Sequence, residues 1–257
     1  MTGPEAFVVV QACMGTEPSI WTRPAPARRR PALSQDAIVR AAIAVADTGG
    51  QEALTMQSVA RALGAFTPMS LYRYVYGKEG LIDLMLDAVL AEAKPAKRSS
   101  GDWSTDVYRL ELRMWEAIMR HPWFAQLVHT RPPLGPNALR RTEYLLGVFS
   151  NLGADIGTAM GYLSLVERLV IGLALQVGEE ARADLQVDVA SADSAYAALE
   201  PLRQLIGDSI QYPLLARWAA APSGPTPREQ LELGLRMLLD GIAARQTRRQ
   251  ARTRRAR

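Results

Sequence analysis

Residues 54–84 contain two short helical patterns separated by a glycine, and this arrangement limits the possible folds more than any other feature of the chain. The first pattern, Met56–Leu63, follows Thr55, whose hydroxyl can cap the helix. Gly64 can take the left-handed conformation that ends a helix. A second helix should begin at Pro68, where the missing N–H of proline costs nothing. Two short helices joined by a tight turn are the geometry that places one helix in the major groove of DNA.

The second helix is predicted to bury one side and to leave the other exposed. Leu71 and Val75 lie four residues apart and should face the core. The side chains expected to reach base edges are Thr67, Met69, Ser70 and Arg73. Those expected to hold phosphates are Tyr72, Tyr74 and Lys78, and Thr55 is placed on the same DNA-binding surface. The alternative is an ordinary helical core in which the two tyrosines are partly buried.

Amphipathic helices are predicted on both sides of this pair. Residues 33–50 open with Ser34 as a cap and end at a glycine pair. Their apolar face consists of Ile38, Ala41, Ala42, Val45 and Ala46. Another helix should begin at Lys78 and Glu79. Its buried stripe is predicted to be Leu81, Leu84, Met85 and Ala88.

Residues 33–86 resemble the tetracycline-repressor-like (TetR) family of transcriptional regulators. The resemblance lies in a first helix ending in DTGG, then LTMQSVARALG, then PMSLYRYVYGKEGLIDLML. The stretch MWEAIMRHPWFAQLVHTRPPLGPNALRRTEYLLGVF, residues 114–149, is similar to the C-terminal domain of a subgroup of these repressors. The resemblance implies an all-α protein with an N-terminal three-helix helix-turn-helix domain and a larger C-terminal helical bundle.

One departure from the family pattern affects the recognition helix. Family members usually have two residues between the turn glycine and the proline, whereas Ala65, Phe66 and Thr67 make three here. The additional residue can rotate or shift the helix, and so it affects which side chains meet the bases.

The rest of the chain is also predicted to be helical, because alternating β-branched runs are scarce and Ala, Leu, Arg and Glu dominate. Helices are expected at 103–120, 123–128, 138–152, 156–177, 195–206 and 227–245. The acidic segment 179–194 is expected to be a loop. The predicted domains are a disordered basic arm (1–30), a helix-turn-helix domain (31–93), a ligand-binding and dimerisation domain (103–245) and a disordered arginine-rich tail (246–257).

Several features indicate a cytoplasmic protein with no membrane partner. No run of about 18 uncharged apolar residues is present. The start, FVVVQAC, lacks the basic region of a secretion signal. Cys13 is the only cysteine, which excludes an internal disulfide.

Basic residues concentrate at the two ends of the chain. Arg28, Arg29 and Arg30 stand where an arm could reach phosphates or a minor groove, although a solvated charge run explains them equally well. The segment 245–257 holds seven arginines and no acidic residue. It can be read as a tail that binds polyanions without specificity.

The second half is expected to form a homodimer, because twofold symmetry doubles the DNA contact of one recognition helix. In the proteins it resembles, the last two long helices form a four-helix interface, which implicates residues 156–177 and 228–244. The glycines 157, 161 and 172 would permit close approach of helices, and Leu165, Leu169 and Leu173 would supply apolar area. An intramolecular core is the alternative for each of these residues.

The second half is also expected to hold a cavity for a small, largely apolar effector. The candidate ligand-binding residues are Trp115, Met119, His121, Trp123, Phe124, Tyr144, Phe149, Met160, Tyr162 and Glu167. Aromatic residues at helical spacing are more often core than pocket lining. Glu167 could instead pair with Arg168 or Arg113.

No motif indicates an enzyme: GxSxG, the P-loop, GxGxxG after a strand and HExxH are all lacking. Two histidines and one distant cysteine do not make a metal site, so neither a metal nor another cofactor is expected. The sequence therefore predicts a ligand-responsive regulator, most simply a repressor, that binds a palindromic double-stranded DNA operator. The alternatives are a helical protein–protein adaptor and a helical enzyme without a recognisable catalytic motif.

Overall fold

The computed structural model describes residues 33–64, 66–95, 100–182, 200–206, 211–220 and 224–255. The predicted all-α class is confirmed, and the described part of the chain contains no strand. The helices are α1 (Gln35–Ala53), α2 (Met56–Ala62), α3 (Pro68–Val75), α4 (Lys78–Leu90), α5 (Trp103–Arg120), α6 (Trp123–Thr130), α7 (Pro136–Asn151), α8 (Ile156–Arg182), α9 (Glu200–Ile206), α10 (Pro213–Ala220) and α11 (Pro227–Arg255).

One helix was not predicted, and two others continue well beyond their predicted ends. α10 was not predicted, and α8 continues through Arg182 into the segment expected to be a loop. α11 continues through Arg255, so the prediction of disorder from residue 246 is wrong for residues 246–255. No glycine or proline interrupts residues 242–255, and arginine, alanine and glutamine favour helix. The charge of the tail was therefore a poorer guide than its helix propensity.

The chain divides into two compact units, residues 1–163 and residues 164–257. The predicted domain connection at 94–102 lies inside the first unit. Helices on both sides of that connection pack together, since α1 and α4 contact α6, and α4 also contacts α5 and α7. The first unit thus contains both the helix-turn-helix elements and the helices that follow them.

The buried faces of α1, α3 and α4 follow the predicted pattern. Ile38, Ala42 and Ala46 are buried on α1, and Leu71 and Val75 are buried on α3. On α4 the buried residues are Leu81, Met85, Leu86, Val89 and Leu90, whereas Leu84 and Ala88 of the predicted stripe are half-buried. The helical period thus placed the apolar faces correctly to within one position.

A carboxylate of α4 caps the beginning of α7. Gly135, at the cap position of α7, has no side chain that could accept from the first amides. Asp87 takes this role: its Oδ1 accepts from the backbone N–H of Asn137 at 2.9 Å and of Ala138 at 3.0 Å. Its Oδ2 accepts from the Asn137 side-chain amide at 2.7 Å. The contact joins the helix that follows the recognition helix to the helices of the second half.

Two arginines form further ion pairs, one with α4 and one between α5 and α7. Arg131, which follows α6, donates to both carboxylate oxygens of Asp83 and to Glu79 on α4. Arg141 on α7 and Glu111 on α5 form a buried pair at 2.5 Å. Because a buried charge is costly without a partner, the pairing with Glu111 holds the buried Arg141 in a defined position.

In the second unit, the later part of α8 and the helix α11 each have a regular buried stripe. The stripe consists of Val166, Val170 and Ala174 on α8 and of Leu231, Leu235, Leu239 and Ile242 on α11. The two helices lie close together at Gly234 of α11, where an added Cβ would lie 3.2 Å from a methyl group of Leu169 on α8. The predicted glycines behave differently: a Cβ at Gly161 or Gly172 would meet no described atom within 4 Å.

Among the described helices, the segment Ile156–Ala181 of α8 alone has the length and mean hydropathy, 1.4, of a membrane span. One third of its most apolar window is buried inside the chain. Glu167 and Arg168 stand in its middle, which is why the sequence contains no uncharged run of that length. The core helix of a soluble protein has the same length and composition, so this finding alone is weak evidence for a membrane.

Replacing Asp87 by alanine is expected to lower the free energy of unfolding by about 2–3 kcal/mol, because two backbone N–H groups at the start of α7 lose their acceptor. The measurement is urea unfolding at a fixed protein concentration. Asp240→Ala, at an exposed position of α11, is the control and should change stability by less than about 0.5 kcal/mol. Equal effects of the two changes would contradict the capping role.

Candidate nucleic-acid interface and effector cavity

The helix α3 presents one buried and one exposed face. Leu71 and Val75 are fully buried, whereas Met69 is 75% exposed. Tyr72 and Arg73 are also exposed, and Ser70 and Tyr74 are half-buried. The five outward positions predicted from the sequence therefore share a surface that a DNA groove could meet.

The C-terminal end of α3 is held by a hydrogen bond from α1 and by a sharp turn into α4. At its C-terminal end, the Gln35 side chain of α1 donates to the Tyr74 carbonyl at 3.0 Å. Tyr76 then takes a left-handed conformation with φ 58°, and Gly77 follows with φ 143°. This sharp reversal starts α4 directly after α3, so any movement of α4 is transmitted to α3.

Thr67 stands at the cap position of α3, but its side chain makes no capping hydrogen bond. Its carbonyl instead accepts from the Ser70 backbone N–H at 3.0 Å and from the Ser70 hydroxyl at 2.6 Å. The Ser70 proton is thus engaged locally, which leaves that hydroxyl with acceptor capacity. The Thr67 side chain is exposed, and its hydroxyl can both donate and accept a hydrogen bond, as a contact with a base edge would require.

Thr55 caps α2 as predicted and forms a reciprocal capping box with Ser58. The Ser58 backbone N–H donates to the Thr55 hydroxyl at 3.0 Å, and the Ser58 hydroxyl accepts from the Thr55 backbone N–H at 2.9 Å. Lys78 is exposed in the first turn of α4. The predicted arm residues Arg28, Arg29 and Arg30, and the turn residue Ala65, lie outside the described part of the chain.

Most of the predicted effector-binding aromatics form core instead. Trp115, Trp123, Phe124, Phe149 and Tyr162 are all buried. Phe149 packs edge-on against Tyr162 at 5.7 Å and against Trp103, absent from the prediction, at 6.2 Å. This packing fits the alternative of an apolar core, and binding of an effector by these residues stays a prediction.

The remaining predicted effector-binding residues are scattered. Met119 is half-buried, and Met160 is 43% exposed. Glu167 is half-buried on α8 and belongs to the second unit, whereas the other predicted residues belong to the first.

A cavity of about 260 Å³ opens between the end of α4 and the beginning of α7. Its lining consists of Leu90, Lys94, Pro95, Asn137, Arg140, Arg141 and Tyr144. Of the predicted residues, only Tyr144 lines it. The arginine pair could have been found from spacing, because positions 140 and 141 precede Tyr144 by four and three residues and so share its helix face.

The lining of this cavity is apolar at one side and cationic at the other. Leu90, Pro95 and the Tyr144 ring supply the apolar part. Burial, and next the charge of Asp106, raise the pKa of the Tyr144 phenol, so it stays protonated and can donate. Arg140 donates to the Asn137 side chain at 2.7 Å, and the Glu111 carboxylate pairs with Arg141. The lining contains three basic residues and no acidic one.

His121 and Trp123, predicted as effector-binding residues, contact the first helix instead. The indole N–H of Trp123 donates to Asp47 Oδ1 at 2.6 Å, and His121 Nδ1 lies 2.7 Å from the same oxygen. His121 Nε2 lies 3.1 Å from Glu92 Oε1, and Arg120 donates to Glu92 Oε2 at 2.5 Å. We call Asp47, Glu92, Arg120, His121 and Trp123 the Asp47 junction.

No group of three or more His, Cys, Asp or Glu side chains that could hold a metal ion occurs among the described residues. The candidate site thus consists of the exposed face of α3, the amphipathic cavity between α4 and α7, and the polar contacts of the Asp47 junction.

Comparison with known proteins agrees with these features. The C-terminal domain family of tetracyclin repressor-like proteins matches residues 94–246. An HTH-type transcriptional regulator of Saccharopolyspora erythraea is 34% identical over 231 residues, which cover 90% of this chain and 93% of the relative. The HTH-type transcriptional repressor DrrR1 of Streptomyces coeruleorubidus is 32% identical over 214 residues, which cover 83% of this chain and 78% of the relative.

Solved structures show the same architecture. Apo ActR of Streptomyces coelicolor superposes with a TM-score of 0.71 at 25% identity, covering 86% of this chain and 99% of that one. ActR in complex with actinorhodin superposes with a TM-score of 0.68 at 26% identity, covering 84% and 98% of the two chains.

Replacing Gln35 by alanine is expected to loosen α3, because the Tyr74 carbonyl loses a donor from α1 worth about 1 kcal/mol. Amide hydrogen exchange over residues 71–76 should become faster by roughly fivefold. Gln57→Ala, at an exposed position of α2, is the matched control. Unchanged exchange in the Gln35 variant would show that the apolar face alone holds α3.

Proposed function

Because this chain belongs to the tetracycline-repressor-like (TetR) family of transcriptional regulators, we propose that it represses transcription as a homodimer on a palindromic operator. A small molecule that enters the cavity between α4 and α7 releases it. The proposal places the protein in the cytoplasm with the DNA it regulates, and it includes no catalytic role.

The observation that carries the proposal is the two-sided character of α3. Its buried side, Leu71 and Val75, fixes the helix to α1 and α4, and its other side is exposed. An exposed apolar side chain such as Met69 is costly in water and suits contact with a thymine methyl group.

Within this surface the roles are divided by chemistry. Arg73 can donate two hydrogen bonds to guanine, and Thr67, Met69 and Ser70 are close enough in sequence to meet neighbouring bases. Tyr72, Tyr74 and Lys78 position the phosphates, with the arm Arg28–Arg30 adding salt-dependent affinity. Thr55, whose hydroxyl caps α2 by accepting from the Ser58 N–H, belongs to the same proposed DNA-binding surface.

The proposed dimer uses the second unit. Leu165 on α8 is 49% exposed, and Leu233 and Met237 on α11 are 54% and 67% exposed. These side chains lie on helices whose other faces are already buried. The open space beside Gly172 would let a partner helix approach closely. An isologous contact of this kind gives the twofold symmetry that a palindromic operator needs.

The proposed effector has an apolar body and an anionic or strongly accepting group. Leu90, Pro95 and Tyr144 would hold the body, and Lys94 and Arg140 would meet the polar group. ActR, a structural relative, is known in complex with actinorhodin and with (S)-DNPA. The support here is the lining itself, which contains cationic but no acidic residues.

Release follows from the position of the cavity at the end of α4. The dimer would hold its recognition helices about 34–36 Å apart, one turn of DNA. An effector beside Leu90 would favour another packing of α4 against α7, and α4 would carry α3 out of that spacing. The effector acts only through its different affinity for the two arrangements.

Selection from a random DNA pool tests the operator proposal. The purified protein should enrich an inverted repeat whose half-sites lie about one helical turn apart. Enrichment of no inverted repeat, from pools at several salt concentrations, would contradict it.

Arg73→Ala and Lys78→Ala should separate base reading from phosphate binding. Arg73→Ala should weaken the selected operator by about 1–3 kcal/mol and relax specificity at one base pair. Lys78→Ala should weaken every sequence alike and reduce the salt slope by about 1. Competition binding on operators substituted one base pair at a time measures both, and identical profiles for the two variants would refute the division.

Arg140→Gln tests the effector cavity with a pair of probes that differ by one charge. The variant should bind 8-anilinonaphthalene-1-sulfonate roughly three- to tenfold more weakly and its uncharged counterpart N-phenyl-1-naphthylamine equally well. Arg109→Gln, an exposed arginine of α5 outside the lining, is the control for both probes. Fluorescence titration gives the dissociation constants, and equal losses for both probes would contradict an anion-binding wall.

A further inference from the structure

The Asp47 junction connects three separate parts of the first unit through side chains alone. Asp47 lies near the end of α1, Glu92 just beyond α4, and His121 with Trp123 at the beginning of α6. His121 and Trp123 are buried, whereas the carboxylates of Asp47 and Glu92 that they meet are partly open to solvent. Asp47 Oδ1 is shared by two ring nitrogens at 2.6 and 2.7 Å, a short and convergent arrangement.

The partners determine what the His121 ring does. A carboxylate only accepts, so Nδ1 must carry the hydrogen directed at Asp47. Burial acts to raise the pKa of Glu92, but hydrogen bonds and charge from Arg120 and His121 outweigh it and lower that pKa. Glu92 is therefore ionised at neutral pH and also accepts. His121 thus lies between two carboxylates, with Asp47 at Nδ1 and Glu92 at Nε2.

The bridged helices are the two that locate the recognition helix. α1 holds the end of α3 through the bond from Gln35 to the Tyr74 carbonyl. α4 follows α3 after only Tyr76 and Gly77. Fixing the far ends of α1 and α4 against one residue therefore limits how α3 can turn.

We propose that His121 is a positioning residue for operator recognition: by tying Asp47 to Glu92 it sets the placement of α3, and thereby the half-site spacing that the dimer accepts. The inference rests on the proposed dimer on a palindromic operator. Apolar packing between α1, α4 and α6 is non-directional and leaves the helices free to slide, whereas the shared hydrogen bonds specify one arrangement.

The experiment uses the full-length protein and the operator obtained by selection, together with derivatives that carry one base pair more or fewer between the half-sites. The wild type should lose at least about tenfold in affinity on either derivative. In His121→Gln both N–H donors lie on one nitrogen instead of on opposite sides of a ring, so the side chain does not span the two carboxylates. This variant should bind the selected operator about tenfold more weakly and should lose less than about threefold further on the derivatives.

Two further variants separate positioning from folding. The spacing penalty is the affinity that a protein loses when one base pair is added or removed between the half-sites. Asp47→Asn keeps the shape of the side chain and removes its charge, and it should also reduce the spacing penalty. His129→Gln replaces the other histidine of the chain, which is exposed near the end of α6, and should behave as the wild type. Thermal unfolding and affinity for DNA without an operator are measured for each variant.

Each outcome decides the matter. A reduced spacing penalty in both junction variants, with unchanged affinity for DNA without an operator, supports the proposal. An unchanged spacing penalty overturns it, as does a uniform loss on all DNA in step with a lower unfolding temperature, since that would make the role merely structural. If the wild type selects no inverted repeat, the proposed function itself fails, a result visible before any variant is made.

Discussion

The arrangement of the first unit depends on carboxylates that α1 and α4 offer to the helices following them. Asp47 accepts from His121 and Trp123, Asp83 from Arg131, and Asp87 from the first amides of α7. His121, Trp123 and the Ala138 amide would be buried without partners if these bonds were broken, so their separation costs more than the loss of one contact. These bonds join the helix-turn-helix elements to the later helices as one body, although the sequence divides them at residues 94–102.

This connection gives the exposed face of α3 its functional meaning. A recognition helix on a loosely attached domain would meet DNA at many spacings, and an effector bound elsewhere could not move it. Here the cavity lining includes Leu90 at the end of α4, three residues after the aspartate that caps α7. An effector that changes the packing of α4 on α7 therefore acts directly on these polar bonds, which have few alternative geometries.

The reliable sequence predictions were those that depend on neighbours in the chain. The cap at Thr55, the proline start of α3 and the inward positions Leu71 and Val75 are local, and all three were correct. The effector-binding residues were harder to predict, because an aromatic side chain indicates burial but does not indicate whether protein or a ligand covers it. Trp123 and Phe149 are buried, and the lining of the cavity includes Lys94, Arg140 and Arg141, none of which was a predicted effector residue. The DNA contacts of Arg73 and Lys78 remain predictions.

The sequence by itself determined the all-α class, most helix boundaries, the outward face of α3 and the family, because helical periodicity and capping are written in residues at most four apart. Tertiary structure alone decided which charges meet. Asp47 and His121 are separated by 74 positions, and Asp87 and Asn137 by 50, so no local pattern links them. A carboxylate and its donor can be recognised as a pair only once the helices that carry them have packed.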